Sequence, residues 1–274
     1  MIDIIKAVII GIIEGITEWL PVSSTGHIFL ANEFIKLNAS EQFLEMFDVV
    51  IQLGAIFAVV LLYFKKLWPF TTKANGFIKK DSFNMWFKVL VAVIPAIVIG
   101  LPFDDLLQKY FYNYLSITAV LIIYGILFIV VERINRNRTP KINDIDTLDY
   151  KTALLIGAFQ VLALIPGTSR SGATILGAIL LGVSRSTAAE FSFFLSVPVM
   201  FGASLLKIVK FGFDFTPTQI VILLAGMISA FLTSVLFIKL LMNYIKKRDF
   251  TVFGYYRIAI GIVLFIVFGF VLKN

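Results

Sequence analysis

Two short stretches carry residues that a strongly apolar chain has no packing reason to keep. The first, EGITEWLPVSSTGH, sets Glu14 and Glu18 four residues apart, then runs through Ser23, Ser24, Thr25 and Gly26 to His27. Spacing of four puts both acids on one helix face, where like charges repel. They need a proton, a bound cation or an opposing arginine. The second stretch is PGTSRSGATILGAILLG, from Pro166 to Gly182. Pro166 and Gly167 stop a helix, and Thr168, Ser169 or Ser171 can cap the one that follows. Gly172 lets backbone approach a ligand closely. Capping does not explain Arg170, whose planar fork of donors suits phosphate oxygens. A helix start with free N–H groups is itself an anion site. His27, the chain's single histidine, adds a group able to move protons near neutral pH. Together these types describe a phosphate site in lipid surroundings. The plainer alternatives are simple capping, an interfacial helix with its acids in water, and a structural pair between Arg170 and Glu14 or Glu18.

The elements that must position these residues are membrane helices. Of 274 residues, 59% are hydrophobic and 15% charged, and the mean hydropathy is +0.94, too apolar for a soluble domain. Thirteen of the first twenty residues are apolar, which argues against an interfacial helix there. No cysteine is present, so there is no disulfide framework and no thiolate chemistry. The net charge of +7 fits basic cytoplasmic loops; no nucleic-acid role follows from it. No cleavable signal peptide stands out at the start. Six stretches, approximately 46–64, 84–103, 115–133, 187–209, 217–242 and 252–272, are long and apolar enough to span a bilayer. Two further apolar regions, 3–37 and 152–184, are broken near their middle by proline and small polar residues. Each of these reads as a re-entrant pair of short helices. The expected fold is an all-α polytopic membrane protein of six full spans and two broken re-entrant helix pairs.

The two breaks superpose at Pro21 and Pro166, which sets Ser24 opposite Ser169. The chain reads as one membrane domain, 1–274, built as two repeat halves at approximately 1–140 and 141–274. With three spans per half, the second half is inverted. Loop charges agree: Lys65, Lys66, Lys73, Lys79 and Lys80 follow the first span, and Arg133, Arg136, Arg138, Lys141 and Lys151 follow the third. Lys246, Lys247 and Arg248 follow the fifth, while the alternate loops offer little beyond Lys109 and Lys210, with Asp104, Asp105 and Asp214 nearby. The positive-inside rule then places both termini outside and brings the two tips together near mid-membrane. Trp19, Trp68 and Trp86 read as helix-end anchors, and the Phe-rich EFSFFL as packing.

EGITEWLPVSSTGH resembles the ExxxE segment and SSTGH of the undecaprenyl-diphosphate phosphatase family, also called bacitracin-resistance proteins. PGTSRSGAT is similar to that family's PGxSRSxxT signature, and the likeness covers nearly the whole chain without departure at the defining positions. The resemblance implies a hydrolase of the bacterial cytoplasmic membrane that removes the terminal phosphate of a polyprenyl diphosphate lipid. Its active site would open to the outer face. It also implies a divalent cation, Mg2+ or Ca2+, and functional positions at Glu14, Glu18, Ser24, Thr25, His27, Ser169, Arg170 and Thr174. On this footing Ser24 is the expected nucleophile, with Glu18 taking its proton directly or through His27. Metal-bound water and His27 itself are the rival nucleophiles. Glu14 and Glu18 would share the cation, and Thr25, Arg170, Ser169, Ser171 and Thr174 would face or support the phosphates. A lipid phosphatase superfamily with a PSGH motif does not fit, because its chemistry needs two histidines. A polyprenyl-phosphate flippase or anion transporter built on the same inverted repeat is the alternative. A homodimer is left open.

Overall fold

A computed structural model of the chain describes residues 1–71 and 78–272; Lys73 lies outside the described residues. Helix α1 (Ile2–Thr17) and α2 (Ser24–Phe34) make the first broken region. After them come α3 (Glu41–Val50), α4 (Gln52–Leu62), the short α5 (Phe64–Leu67), α6 (Lys80–Phe111) and α7 (Tyr114–Asn135). The second broken region is α8 (Tyr150–Val161), a 3-10 turn at Leu162–Leu164, and α9 (Arg170–Leu180). The chain finishes with α10 (Arg185–Phe211), α11 (Pro217–Ile245) and α12 (Thr251–Ile266). Among the described residues there is no sheet, only two isolated bridges.

Six segments among the described residues have the length and hydropathy of a membrane span: Glu41–Leu62, Lys80–Gly100, Tyr114–Asn135, Arg185–Phe211, Pro217–Ile245 and Thr251–Val271. They are the six expected from apolar runs alone. Helix α6 carries Pro95 within its apolar stretch and extends past it through Pro102 to Phe111; prolines are tolerated in such helices when neighbours re-satisfy the freed carbonyls.

Small residues set how the helices meet. Lipid offers no hydrophobic drive for helix association, so close backbone approach must supply it. At Gly11 an added Cβ would collide with the carbonyl of Gly226, so α1 lies backbone-to-backbone along α11. At Gly157 it would collide with the carbonyl of Ala92, so α8 lies along α6 in the same way. Each broken region thus leans on a span from the other half of the sequence. Helices α7 and α12 cross where Gly125 and Gly254 each point a would-be Cβ at the other's carbonyl oxygen, 2.7 Å away.

The EFSFFL stretch is packing, as expected: Phe191, Phe193 and Phe194 are fully buried. Trp19 is not an interfacial anchor. It is fully buried, edge-on to Phe193 at 5.3 Å, because the first break turns it inward. Basic residues from three loops gather at one end of the bundle. Lys65, Lys66 and Lys79 border one depression with Asp144, and Arg136 and Arg185 border another with Lys246 and Arg248. The buried Glu132 pairs with Arg185 and accepts the Phe250 N–H at 3.1 Å, tying α7, α10 and the start of α12 at that end.

Candidate active site

Both breaks end in the same local structure. Ser23 and Ser169 are the N-caps of α2 and α9, and both sit in the left-handed region at φ 76° and 72°. Ser23 Oγ accepts the Gly26 N–H at 3.3 Å, and Ser169 Oγ accepts the Gly172 N–H at 3.1 Å. A non-glycine residue held at positive φ is strained and persists only where its surroundings over-determine it. The matching caps correct the alignment offered above: Ser23, not Ser24, is the counterpart of Ser169. The first break is one residue shorter from proline to cap, so Ser24 falls opposite Arg170. Gly167, at φ 93° and with its Cβ position 3.0 Å from the Ile117 carbonyl oxygen, admits no side chain.

Four groups join the tips. Arg170 Nη2 donates to Glu18 Oε1 at 3.0 Å, an ion pair whose side chains are 10% and 9% exposed. Ser24 Oγ donates to the other oxygen of the same carboxylate, Oε2, at 2.7 Å. Glu18 therefore holds the serine of one tip and the arginine of the other. Ser171 Oγ donates to the Glu18 carbonyl at 3.0 Å. Arg170 is fixed from behind: Nη1 donates to the Ser192 carbonyl at 2.7 Å, and its guanidinium lies 5.8 Å from the Trp19 ring centroid. Thr174 Oγ1 donates to the Arg170 carbonyl at 2.9 Å and lies 2.7 Å from Ser192 Oγ. Thr174 and Ser171 are both fully buried, so their hydroxyls are spent on holding Arg170 and Glu18. Thr25 is half-buried in the first turn of α2.

His27 is turned to another neighbour. Its Nδ1 lies 2.7 Å from the Ser23 carbonyl oxygen, which can only accept, so Nδ1 carries a proton. In the neutral ring Nε2 then accepts from the Tyr256 hydroxyl at 2.8 Å, with the two rings parallel within 3°. Of the two proton routes expected from sequence, the direct Ser24–Glu18 contact is the one this geometry forms.

Glu14 is fully buried, and neither carboxylate oxygen has a hydrogen-bond partner among the described residues. Two orphaned carboxyl oxygens one helical turn from Glu18 fit a cation. Among the described residues no cluster of three or more His, Cys, Asp or Glu could cage a metal. A cation here would take its remaining ligands from phosphate or water, the usual habit of Mg2+.

Arg257 escaped the sequence reading, although an arginine in the middle of an apolar span is a functional signal by default. It is fully buried, donates from Nη1 to the Pro21 carbonyl at 3.1 Å, and from Nη2 to the carbonyls of Gly167 and Thr168 at 2.8 and 3.0 Å. Its guanidinium lies 5.4 Å from the Tyr124 ring centroid. One side chain thus clamps both tips. Arg257→Met should leave three carbonyls unpaired, at about 1 kcal/mol each, and lower the thermal midpoint in detergent by several degrees. Tyr256 and Ser192 also went unnoticed; nothing in their local sequence distinguishes them from ordinary span residues.

The sequence profile of the family described as bacitracin resistance protein BacA matches residues 7–263. Among curated proteins, an undecaprenyl-diphosphatase of Acetivibrio thermocellus is 60% identical over 268 residues, covering 98% of each chain. One from Enterococcus faecalis is 62% identical over 262 residues, covering 94% of this chain and 95% of the relative. One from Desulfitobacterium hafniense is 58% identical over 270 residues, covering 98% and 97%.

Proposed function

The chain belongs to the bacitracin resistance protein BacA family, and from that membership and the joined tips we propose how it acts as an undecaprenyl-diphosphatase. It is a multi-pass membrane enzyme that hydrolyses undecaprenyl diphosphate to undecaprenyl phosphate and inorganic phosphate, returning the carrier lipid to peptidoglycan synthesis and conferring bacitracin resistance. The observation that carries the mechanism is Glu18 bonded at once to Ser24 and Arg170.

Phosphoryl transfer asks a protein chiefly for alignment and charge neutralisation. The incoming headgroup draws the Arg170 guanidinium toward the terminal phosphate. That leaves the Glu18 carboxylate facing Ser24 alone. Ser24 Oγ attacks the terminal phosphorus as its proton passes to Glu18, and undecaprenyl phosphate leaves. Glu18 passes that proton to the departing undecaprenyl phosphate. Water then cleaves the phosphoserine as Glu18 takes the water's proton and returns it to Ser24 Oγ, releasing inorganic phosphate. Arg170 and the first N–H groups of α2 and α9, which lack intrahelical partners, hold the equatorial oxygens. Thr25 and Ser169 border that cradle, while Ser171 and Thr174 keep it in shape. His27, held by Tyr256, borders the cap of α2. A divalent cation, Mg2+ or Ca2+, would sit on Glu14 and Glu18 and, when bound, supply charge neutralisation at the diphosphate.

The gathering of basic loops at one end supports a cytoplasmic position for that end. Both termini would then lie outside, with the two re-entrant pairs forming an inverted repeat whose site opens to the outer face of the bacterial cytoplasmic membrane. The reciprocal leaning of α1 on α11 and α8 on α6 supports that repeat.

Phosphate release by the purified protein in detergent tests the reading. Wild type should release phosphate from undecaprenyl diphosphate and stop on addition of a chelator. Glu14→Gln should raise the Mg2+ concentration needed for half-maximal rate at least about tenfold, since loss of even an outer-shell partner costs about that. A flippase or transporter would release no phosphate.

A further inference from the structure

The lipid tail of the substrate needs a path, and the geometry points to one: we infer that the apolar cleft between α6 and α10, beside the second tip, holds the first isoprene units of the polyprenyl chain. This rests on the diphosphatase reading above. Helix α8 runs parallel to α6, with Gly157 against Ala92 and Leu164 within 3.3 Å of the Cβ position at Gly100. There α8 ends, while α6 continues to Phe111 and α10 to Phe211. Past the end of α8, α6 faces α10 directly, and the depth beside them is left unfilled. The result is a cavity of about 590 Å³, lined by Ile97, Gly100, Leu164, Pro198, Gly202 and Leu205 among others. That size suits a drug-sized apolar ligand, and so the near end of a long chain rather than all of it.

Two features tie the cleft to the headgroup. Leu164 precedes Arg170 by six residues on the same tip. Along α10, Ser192, which holds Arg170, stands six residues before Pro198, about 9 Å at 1.5 Å per residue. A diphosphate held at Arg170 therefore delivers its ester carbon toward the mouth of the cleft. Ala96, Gly100, Gly202 and Ala203 interrupt the larger aliphatic residues of the wall, and at Gly202 an added Cβ would meet nothing within 4 Å. Side chains there are not excluded by packing. The open volume is kept.

Gly202→Phe tests the assignment, since it adds bulk at a lining position whose Cβ would meet nothing within 4 Å and adds helix propensity. It should raise KM for undecaprenyl diphosphate about tenfold, the worth of roughly two buried methylenes, with an unchanged thermal midpoint in detergent. A farnesyl methylenediphosphonate bearing a diazirine on its first isoprene unit gives the second readout. On irradiation it should label α6 or α10 between residues 93 and 209, and unlabelled undecaprenyl diphosphate should compete. Label confined to other helices overturns the assignment. So does labelling of the cleft that a diazirine phospholipid matches and the diphosphate does not displace, or a Gly202→Phe enzyme with wild-type KM. Failure of the wild type to release phosphate from any prenyl diphosphate would instead remove the diphosphatase reading, while the label still reports where the chain lies.

Discussion

Arg170→Ala is expected to lower kcat by about 10³-fold or more, the range seen when a guanidinium that neutralises a transferring phosphoryl group is removed. Phosphate release from undecaprenyl diphosphate by purified protein measures it. Arg170→Lys should recover little, because one ammonium cannot hold Ser192, face Glu18 and grip phosphate with the same fork. Arg170→Ala also strands a buried carboxylate, and breaking a buried pair costs about 3–5 kcal/mol. The double variant Glu18→Gln with Arg170→Gln separates the two effects by removing both charges. It should unfold near the wild-type temperature and remain inactive. A double variant that regained substantial turnover would make the pair a structural tie and nothing more.

Ser24→Ala should be the second large loss. If Ser24 Oγ attacks phosphorus, its removal costs up to about 10⁶-fold in kcat, as for a serine nucleophile in other hydrolases. If it only donates a hydrogen bond to phosphate, the loss stays near 10²-fold. The neighbouring serine is the built-in comparison. Ser23 caps α2 and touches neither Glu18 nor Arg170 among the described hydrogen bonds, so Ser23→Ala should cost about 1 kcal/mol of stability with a far smaller loss of rate. Acid quenching during turnover of terminally labelled substrate should leave phosphate on Ser24; label on His27, or on no residue while turnover is normal, contradicts the serine route.

The six spans were legible because each is a long apolar run bounded by charge or proline, and bilayer thickness converts run length into a helix. The two breaks were legible for the opposite reason, since Pro21 and Pro166 with their hydroxyl clusters violate the run. Sequence also named Glu18, Ser24 and Arg170, each a residue that hydrocarbon does not tolerate without a partner. It did not reveal which atoms meet. Pairing Ser24 with Ser169 looked right because both follow a proline at the same distance, yet the caps are chosen by backbone φ and by which serine reaches the third N–H. Arg257 was the residue most open to discovery. A charge in the sixth span should have been read as Arg170 was, but it lies outside any motif and its partners are three carbonyls on two distant segments. Tyr256 and Ser192 were not legible at all, because hydroxyls in a span are ordinary and only the fold brings them to His27 and Arg170.

An experimental structure of the protein with a methylenediphosphonate analogue of its lipid substrate examines the joined tips most directly. The terminal phosphorus should lie about 3–3.5 Å from Ser24 Oγ, the separation of a reacting pair, with Arg170 turned from Glu18 onto its oxygens. An analogue bound elsewhere, with Arg170, Glu18 and Ser24 still bonded to one another and no phosphate between the tips, would contradict the shared site.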